Sequence, residues 1–171
     1  MQSDHTGRLL LRHRPQVTAS SIPSISTLLE YPANTLGHVY AKWLHMNHLT
    51  SFTRPPVRYL PTAEFAYVLL RYRQSHDFYH SITGLPPIRE GEVALKLFEW
   101  CNLGLPMTGL ASLAYVTLKS DEKRRCKEVY FPWAIRAGTT AQCLINVWWE
   151  RELSTDVNEL RERLALEMPP E

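Results

Sequence analysis

The chain has 171 residues, 44% of them hydrophobic, a size and composition that fit one domain with a continuous core. Its 19 basic and 17 acidic residues leave a net charge of +2, which excludes the strongly cationic surface of a nucleic-acid binder. Three scattered cysteines, Cys101, Cys126 and Cys143, have no CxxC spacing, exclude a disulfide framework, and read as small core residues of a reducing compartment.

Near the N-terminus, Leu9, Leu10 and Leu11 form part of a short helix that Pro15 ends. Arg8, Arg12, Arg14 and His13 make it basic; a solvated face is the plain reading, contact with an anionic membrane the other. Residues 18–26 read as loop and 27–32 as a connector. Asn34 and Thr35 cap a helix over residues 36–46, with Leu36, Val39, Tyr40 and Trp43 on one side. His45 and His48, at its end and without a carboxylate, read as surface residues. Residues 49–60 read as a loop holding Arg54, Pro55 and Pro56.

Next comes a helix with clear end signals. Thr62 is its N-cap and Glu64 suits the first turn; Gly84 ends it, with Pro86 and Pro87 beyond. Phe65, Leu69 and Tyr72 mark an apolar stripe that His76 and His80 continue. With about 100° per residue, His80 lies at about 40° and Asp77 at about 100° from His76. Two imidazoles and a carboxylate in one arc can hold a divalent cation. If a second helix folds back about Pro86, Glu92 reaches the level of His80 and can serve as fourth ligand. The competing reading makes Glu92–Lys96 an ordinary i,i+4 ion pair on a face shared with Glu99. Val93, Ala94, Leu97, Trp100 and Cys101 form that helix's apolar side.

Residues 103–118 are small and aliphatic, too short and too broken by Gly104, Pro106 and Gly109 to span a membrane. A buried helix from Pro106 is expected. Ser120 and Asp121 cap a charged helix over 122–131 that Pro132 interrupts, and a further turn over 133–137 stops at Gly138. Residues 141–153 suit helix or strand by pattern, and the helical context favours helix. Thr155 and Asp156 cap the last helix, which carries Val157, Leu160 and Leu164 and ends before Pro169. The fold expected is all-α, a single helical domain over 1–171 built around an antiparallel helix hairpin carrying the metal motif. Internal repeats, a glycine-rich phosphate loop and a Ser–His–Asp signature are absent.

His76-Asp77-Phe78-Tyr79-His80, then eleven residues, then Glu92, resembles the coenzyme Q (ubiquinone) biosynthesis family, whose hallmark is HDxxH-x11-E. Residues 7–15, 67–80, 83–86, 104–107, 132–133 and 149–150 also resemble family segments, and residues 75–86 look fungal. The resemblance implies an all-helical protein with zinc held by His76, Asp77, His80 and Glu92, ferrous or manganous ion being alternatives. It implies a lyase, a C1-decarboxylase converting 4-hydroxy-3-methoxy-5-polyprenylbenzoate to 2-methoxy-6-polyprenylphenol. It further implies an organiser of the multi-enzyme ubiquinone-synthesis complex, peripheral on the matrix face of the mitochondrial inner membrane. Family proteins carry a presequence and further helices before the segment matching Gly7, which this chain is expected to lack.

For that reaction Arg73, about one turn before Asp77, could pair with the substrate carboxylate or simply with Asp77 or Glu99. Glu99 and Glu150 are candidate proton donors, and residues 103–118 a candidate wall for the polyprenyl tail. Two other readings stand beside the decarboxylase. One is a prenyl-lipid-binding scaffold with a structural metal. The other is an HD-type phosphohydrolase, which would need Asp121 or Asp156 as a further ligand.

Overall fold

A computed structural model describes residues 1–50 and 57–170. The predicted loop residues Arg54, Pro55 and Pro56 lie outside the described residues. Among the described residues there is no strand, only an isolated bridge between Thr35 and Asp156, and the fold is all-α as expected. The helices are α1 (His5–His13), α2 (Ile25–Leu29), α3 (Leu36–Met46), α4 (Ala63–Thr83), α5 (Arg89–Leu103), α6 (Pro106–Ser112), α7 (Ser120–Arg125), α8 (Phe131–Thr140) and α9 (Val157–Arg163). The chain divides into two compact units, Met1–Ser81 with Ile145–Val157, and Ile82–Leu144 with Asn158–Glu171.

In the first unit the helix ends follow their caps. Asp4 accepts from the Gly7 amide to start α1, and Thr35 accepts from His38 to start α3. Thr62 accepts from the Phe65 amide at the head of α4. Residues 25–29, expected as loop and connector, instead form α2, because Ser24 caps the Thr27 amide. In α1 Leu10 is fully buried, while Arg8, Arg12, His13 and Arg14 are exposed, so its apolar side is spent on the core. His45 and His48 are exposed, as read.

The core of this unit is an aromatic stack. Tyr40 of α3 lies on Phe78 of α4 at 4.0 Å, and Phe78 lies on Trp149 at 5.2 Å, both nearly parallel. Such stacks add about 0.5–1.5 kcal/mol each beyond burial. The apolar stripe expected on α4 is corrected. Phe65 is 56% exposed, whereas Tyr67, Arg71, Tyr72, Gln74, Ser75 and residues 77–81 are buried. From Arg71 onward this helix is covered around most of its circumference, so no single stripe describes it.

Residues 141–153 are neither helix nor strand but an irregular segment with 3-10 turns at Leu144–Asn146 and Trp149–Arg151. Trp149 is fully buried there. Arg71 anchors the segment: its guanidinium donates to both carboxylate oxygens of Glu150, at 2.6 and 2.8 Å, and to the Val147 carbonyl at 3.1 Å.

In the second unit α5 packs against both α6 and α8. Two neighbours on different sides bury a wide arc, which corrects the expected division into an apolar and a polar side. Leu95 and Phe98 are buried, Glu99 and Glu90 with them, and Trp100 is 50% exposed. Phe98 stacks on Trp133 of α8 at 5.4 Å. Gly138, expected to stop a helix, lies within α8. A Cβ there would meet Cys101 Cβ at 2.7 Å and the Phe98 carbonyl at 2.9 Å, so its bareness permits the α5–α8 approach. Gly138→Val is therefore expected to lower stability by about 1–3 kcal/mol, read as a lower urea midpoint at unchanged slope.

Pro132 does not interrupt the chain's helical course. A π-helical turn over Cys126–Tyr130 joins α7 to α8, with the Phe131 amide reaching back to the Cys126 carbonyl. The wider turn opens the backbone ahead of the proline ring, where an α-helix would clash. Residues 103–118 start a helix at Pro106 as expected, but α6 gives way to a 3-10 turn over Leu113–Thr117. The expected burial is corrected: Met107, Leu110, Leu113 and Val116 are 46–69% exposed.

Candidate metal centre

His76 and His80 leave α4 one turn apart, with ring centroids 4.8 Å apart and planes nearly perpendicular. His80 is fully buried and His76 half-buried. α3 holds this pair in place twice. Tyr40 stacks on Phe78, and one turn later Trp43 stacks on the His80 imidazole at 5.0 Å. Aromatic contact on one ring face restricts the rotation of His80, so its nitrogens are aimed before any ligand arrives.

Glu92 sits in the first turn of α5, its amide donating to the Ile88 carbonyl at 2.8 Å. The turn before it is tight: Gly91 has no room for a Cβ beside the Pro86 carbonyl. One ligand atom each from His76, His80 and Glu92 lies within 4.8 Å of the others, and these three residues could bind a metal ion. Tetrahedral zinc, with bonds of about 2.0–2.1 Å, would set its donors about 3.4 Å apart. Side-chain rotation can supply that contraction, and two imidazoles with a carboxylate are a normal zinc donor set.

Asp77 is buried next to His76 and lies outside this three-residue group. Its backbone carbonyl accepts from the Ser81 hydroxyl at 2.7 Å. Arg73 is half-buried on α4. Glu99 is fully buried, 2.7 Å from the Lys96 ammonium. Glu150, the other proton-donor candidate, is the acceptor of the Arg71 fork and is held as a structural carboxylate. Asp121 is exposed and 3.7 Å from Arg124, and Asp156 accepts from the Asn34 side chain. Neither joins the three-residue group, which leaves the phosphohydrolase reading without its downstream ligand. Of the cysteines, Cys126 is buried as read, and burial pushes its thiol up to about 11.

Within the second unit a groove of about 350 Å³ runs beside Glu92. Arg89 and Lys96 give it charge; Val93, Ala111, Ala114 and Leu118 give it apolar walls. The sequence pointed to residues 103–118 as a wall but not to Arg89. That residue donates to the Thr117 carbonyl and hydroxyl, at 2.6 and 3.0 Å, a pairing that no helical spacing reveals.

The comparisons with known proteins agree with the motif. A family model described as coenzyme Q (ubiquinone) biosynthesis protein Coq4 matches residues 1–170. The chain is 52% identical over 166 residues to the ubiquinone biosynthesis protein COQ4, mitochondrial, of Phaeosphaeria nodorum, covering 97% of this chain and 57% of that protein. It is 50% identical over 171 residues to the Neurospora crassa protein of the same description, covering 100% and 49%. The chain thus spans about half the length of these relatives. The crystal structure of a Nostoc punctiforme protein matches with a TM-score of 0.76 at 22% identity, covering 95% of this chain and 76% of that one, a likeness of fold.

Proposed function

Because the chain belongs to the coenzyme Q (ubiquinone) biosynthesis protein Coq4 family, we propose that it carries the metal-dependent C1-decarboxylation step of ubiquinone synthesis. The observation that carries this reading is the convergence of His76, His80 and Glu92 donors beside a groove that is apolar along its walls and charged at its edge. The substrate is 4-hydroxy-3-methoxy-5-polyprenylbenzoate and the product 2-methoxy-6-polyprenylphenol.

His76, His80 and Glu92 would hold the ion, and Asp77, the second carboxylate and fourth candidate ligand, leaves its position to the substrate. Three protein donors leave a position for a substrate oxygen, which a closed four-ligand site would not. When bound, zinc (or ferrous or manganous ion) supplies Lewis acidity toward a phenolic or carboxylate oxygen. The chain's own residues do the rest. Arg73 pairs with the substrate carboxylate and orients the ring. The Lys96 ammonium, 2.7 Å from the buried Glu99 carboxylate, is the proton source: Glu99 takes that proton and passes it to the ring carbon bearing the substrate carboxylate, leaving Lys96 neutral until it is reprotonated from solvent. A C–H bond forms, the C–CO₂ bond breaks, and its electron pair restores the aromatic ring. The groove walls at Val93, Ala111, Ala114 and Leu118 receive the start of the prenyl tail. In this reading the protein works on the matrix face of the mitochondrial inner membrane and organises other enzymes of the pathway; its relatives are named mitochondrial. Among the described residues no helix is long and apolar enough to cross a membrane.

The test is CO₂ release from a prenylated 4-hydroxy-3-methoxybenzoate, with metal content measured on the same samples. Wild type is expected to turn over, and Glu99→Gln to lose about 100-fold or more in kcat with its metal retained. The full burial of His80 also suits a structural ion in a lipid-binding scaffold. A folded, metal-loaded wild type without turnover would establish that second reading instead.

A further inference from the structure

Met107, Leu110, Leu113 and Val116 recur at every third position along α6 and the 3-10 turn after it, and all four are exposed. Helical turns of about 3.0–3.6 residues set such positions in one row. The opposite side of the same segment is already used: Thr108 and Ser112 are buried, and Ala111 and Ala114 line the groove. The outward row is therefore not a misplaced core face. Trp100 extends it. A Cβ on Gly109 would meet the Trp100 ring at 2.8 Å, so the half-exposed indole lies directly against α6.

The row ends in cations. Lys119, Lys123, Arg124, Arg125 and Lys127 follow within a few residues, against Asp121, Glu122 and Glu128. Two of these eight charges are held by short hydrogen bonds, Glu122 capping the Lys119 amide and Arg125 forked on Glu90, and exposed Arg124 and Asp121 lie 3.7 Å apart in a solvated pair. Lys119, Arg124 and Lys127 are exposed. At the same end exposed Arg89 is fastened to Thr117. A row of aliphatic side chains with an indole at its flank and cations at one end matches the composition of a helix lying in a lipid interface.

We propose that α6 and its 3-10 extension form the surface by which this chain seats on an anionic lipid bilayer. Met107, Leu110, Leu113 and Val116 enter the acyl boundary, and Lys119, Arg124 and Lys127 meet the headgroups. α1, the basic helix of the other unit, has Leu10 buried and Leu9 and Leu11 half-buried, and offers charge without an exposed apolar row. This surface localises the peripheral attachment of the proposed function and is independent of the metal chemistry.

Flotation of the purified, metal-loaded chain with vesicles tests it. Phosphatidylcholine vesicles containing about one-third phosphatidylserine are expected to carry the protein up the gradient, and pure phosphatidylcholine vesicles to carry far less. Leu110→Ser/Leu113→Ser/Val116→Ser, all at exposed positions, is expected to reduce partition about tenfold or more while leaving metal content and the thermal midpoint unchanged. Lys119→Glu/Arg124→Glu is expected to abolish the preference for phosphatidylserine. Failure of wild type to float, or equal flotation of the triple-serine variant, would overturn the proposal. So would a dimer that the triple variant loses while vesicle binding persists, since the row would then belong to a second copy.

Discussion

Replacing His80 with alanine is expected to cost the protein its metal. Removal of even an outer partner of a metal ligand lowers affinity about 10–100-fold, and loss of a direct ligand exceeds that. His80 is also fully buried and stacked on Trp43, so the variant leaves a cavity and loses stability for a second reason. His76→Ala and Glu92→Gln separate the two effects, because both residues are half-buried. All three variants should fall well below one ion per chain, while the circular dichroism of the latter two stays that of wild type. Retention of stoichiometric metal by Glu92→Gln would remove Glu92 from the site. Asp77→Asn is the contrasting case: with His76, His80 and Glu92 in place the variant is expected to keep its ion, and loss of the ion would make Asp77 a required ligand.

The second large effect concerns the buried fork. Arg71 is fully buried, and Glu150 is its partner through two short hydrogen bonds. Glu150→Leu leaves a guanidinium in the core with only the Val147 carbonyl among its fork contacts, and is expected to cost about 3–5 kcal/mol. Arg71→Met/Glu150→Leu removes both charges and should recover much of that loss, because neither group then remains desolvated and unpaired. Equilibrium urea unfolding reads both. A double variant as unstable as Glu150→Leu would mean that the fork itself, not the orphaned charge, holds residues 141–153 in place.

The parts of this protein that were legible in its sequence are those written in local chemistry. Thr35 and Thr62 are caps, Gly84 adopts a positive φ of 72°, and the bounds of α3 and α4 follow from them. His76 and His80 share a face because four residues make about one turn. What was not legible depends on partners far along the chain. Arg71 and Glu150 are 79 residues apart, and no periodicity joins them. Pro132 reads as a breaker until the π-turn ahead of it is seen. Residues 103–118 read as core because apolar composition does not say which side of a helix finds a partner; here the second side finds none among the described residues. Asp77 lies about 100° round the helix from His76, and the three residues whose donor atoms lie within 4.8 Å of one another are His76, His80 and Glu92.

X-ray absorption at the metal edge of the purified chain measures the central claim most directly. One zinc per chain with two imidazole ligands, an oxygen-rich remainder and no sulfur is the result predicted. Metal far below one equivalent, or a sulfur shell from Cys101, Cys126 or Cys143, would contradict it.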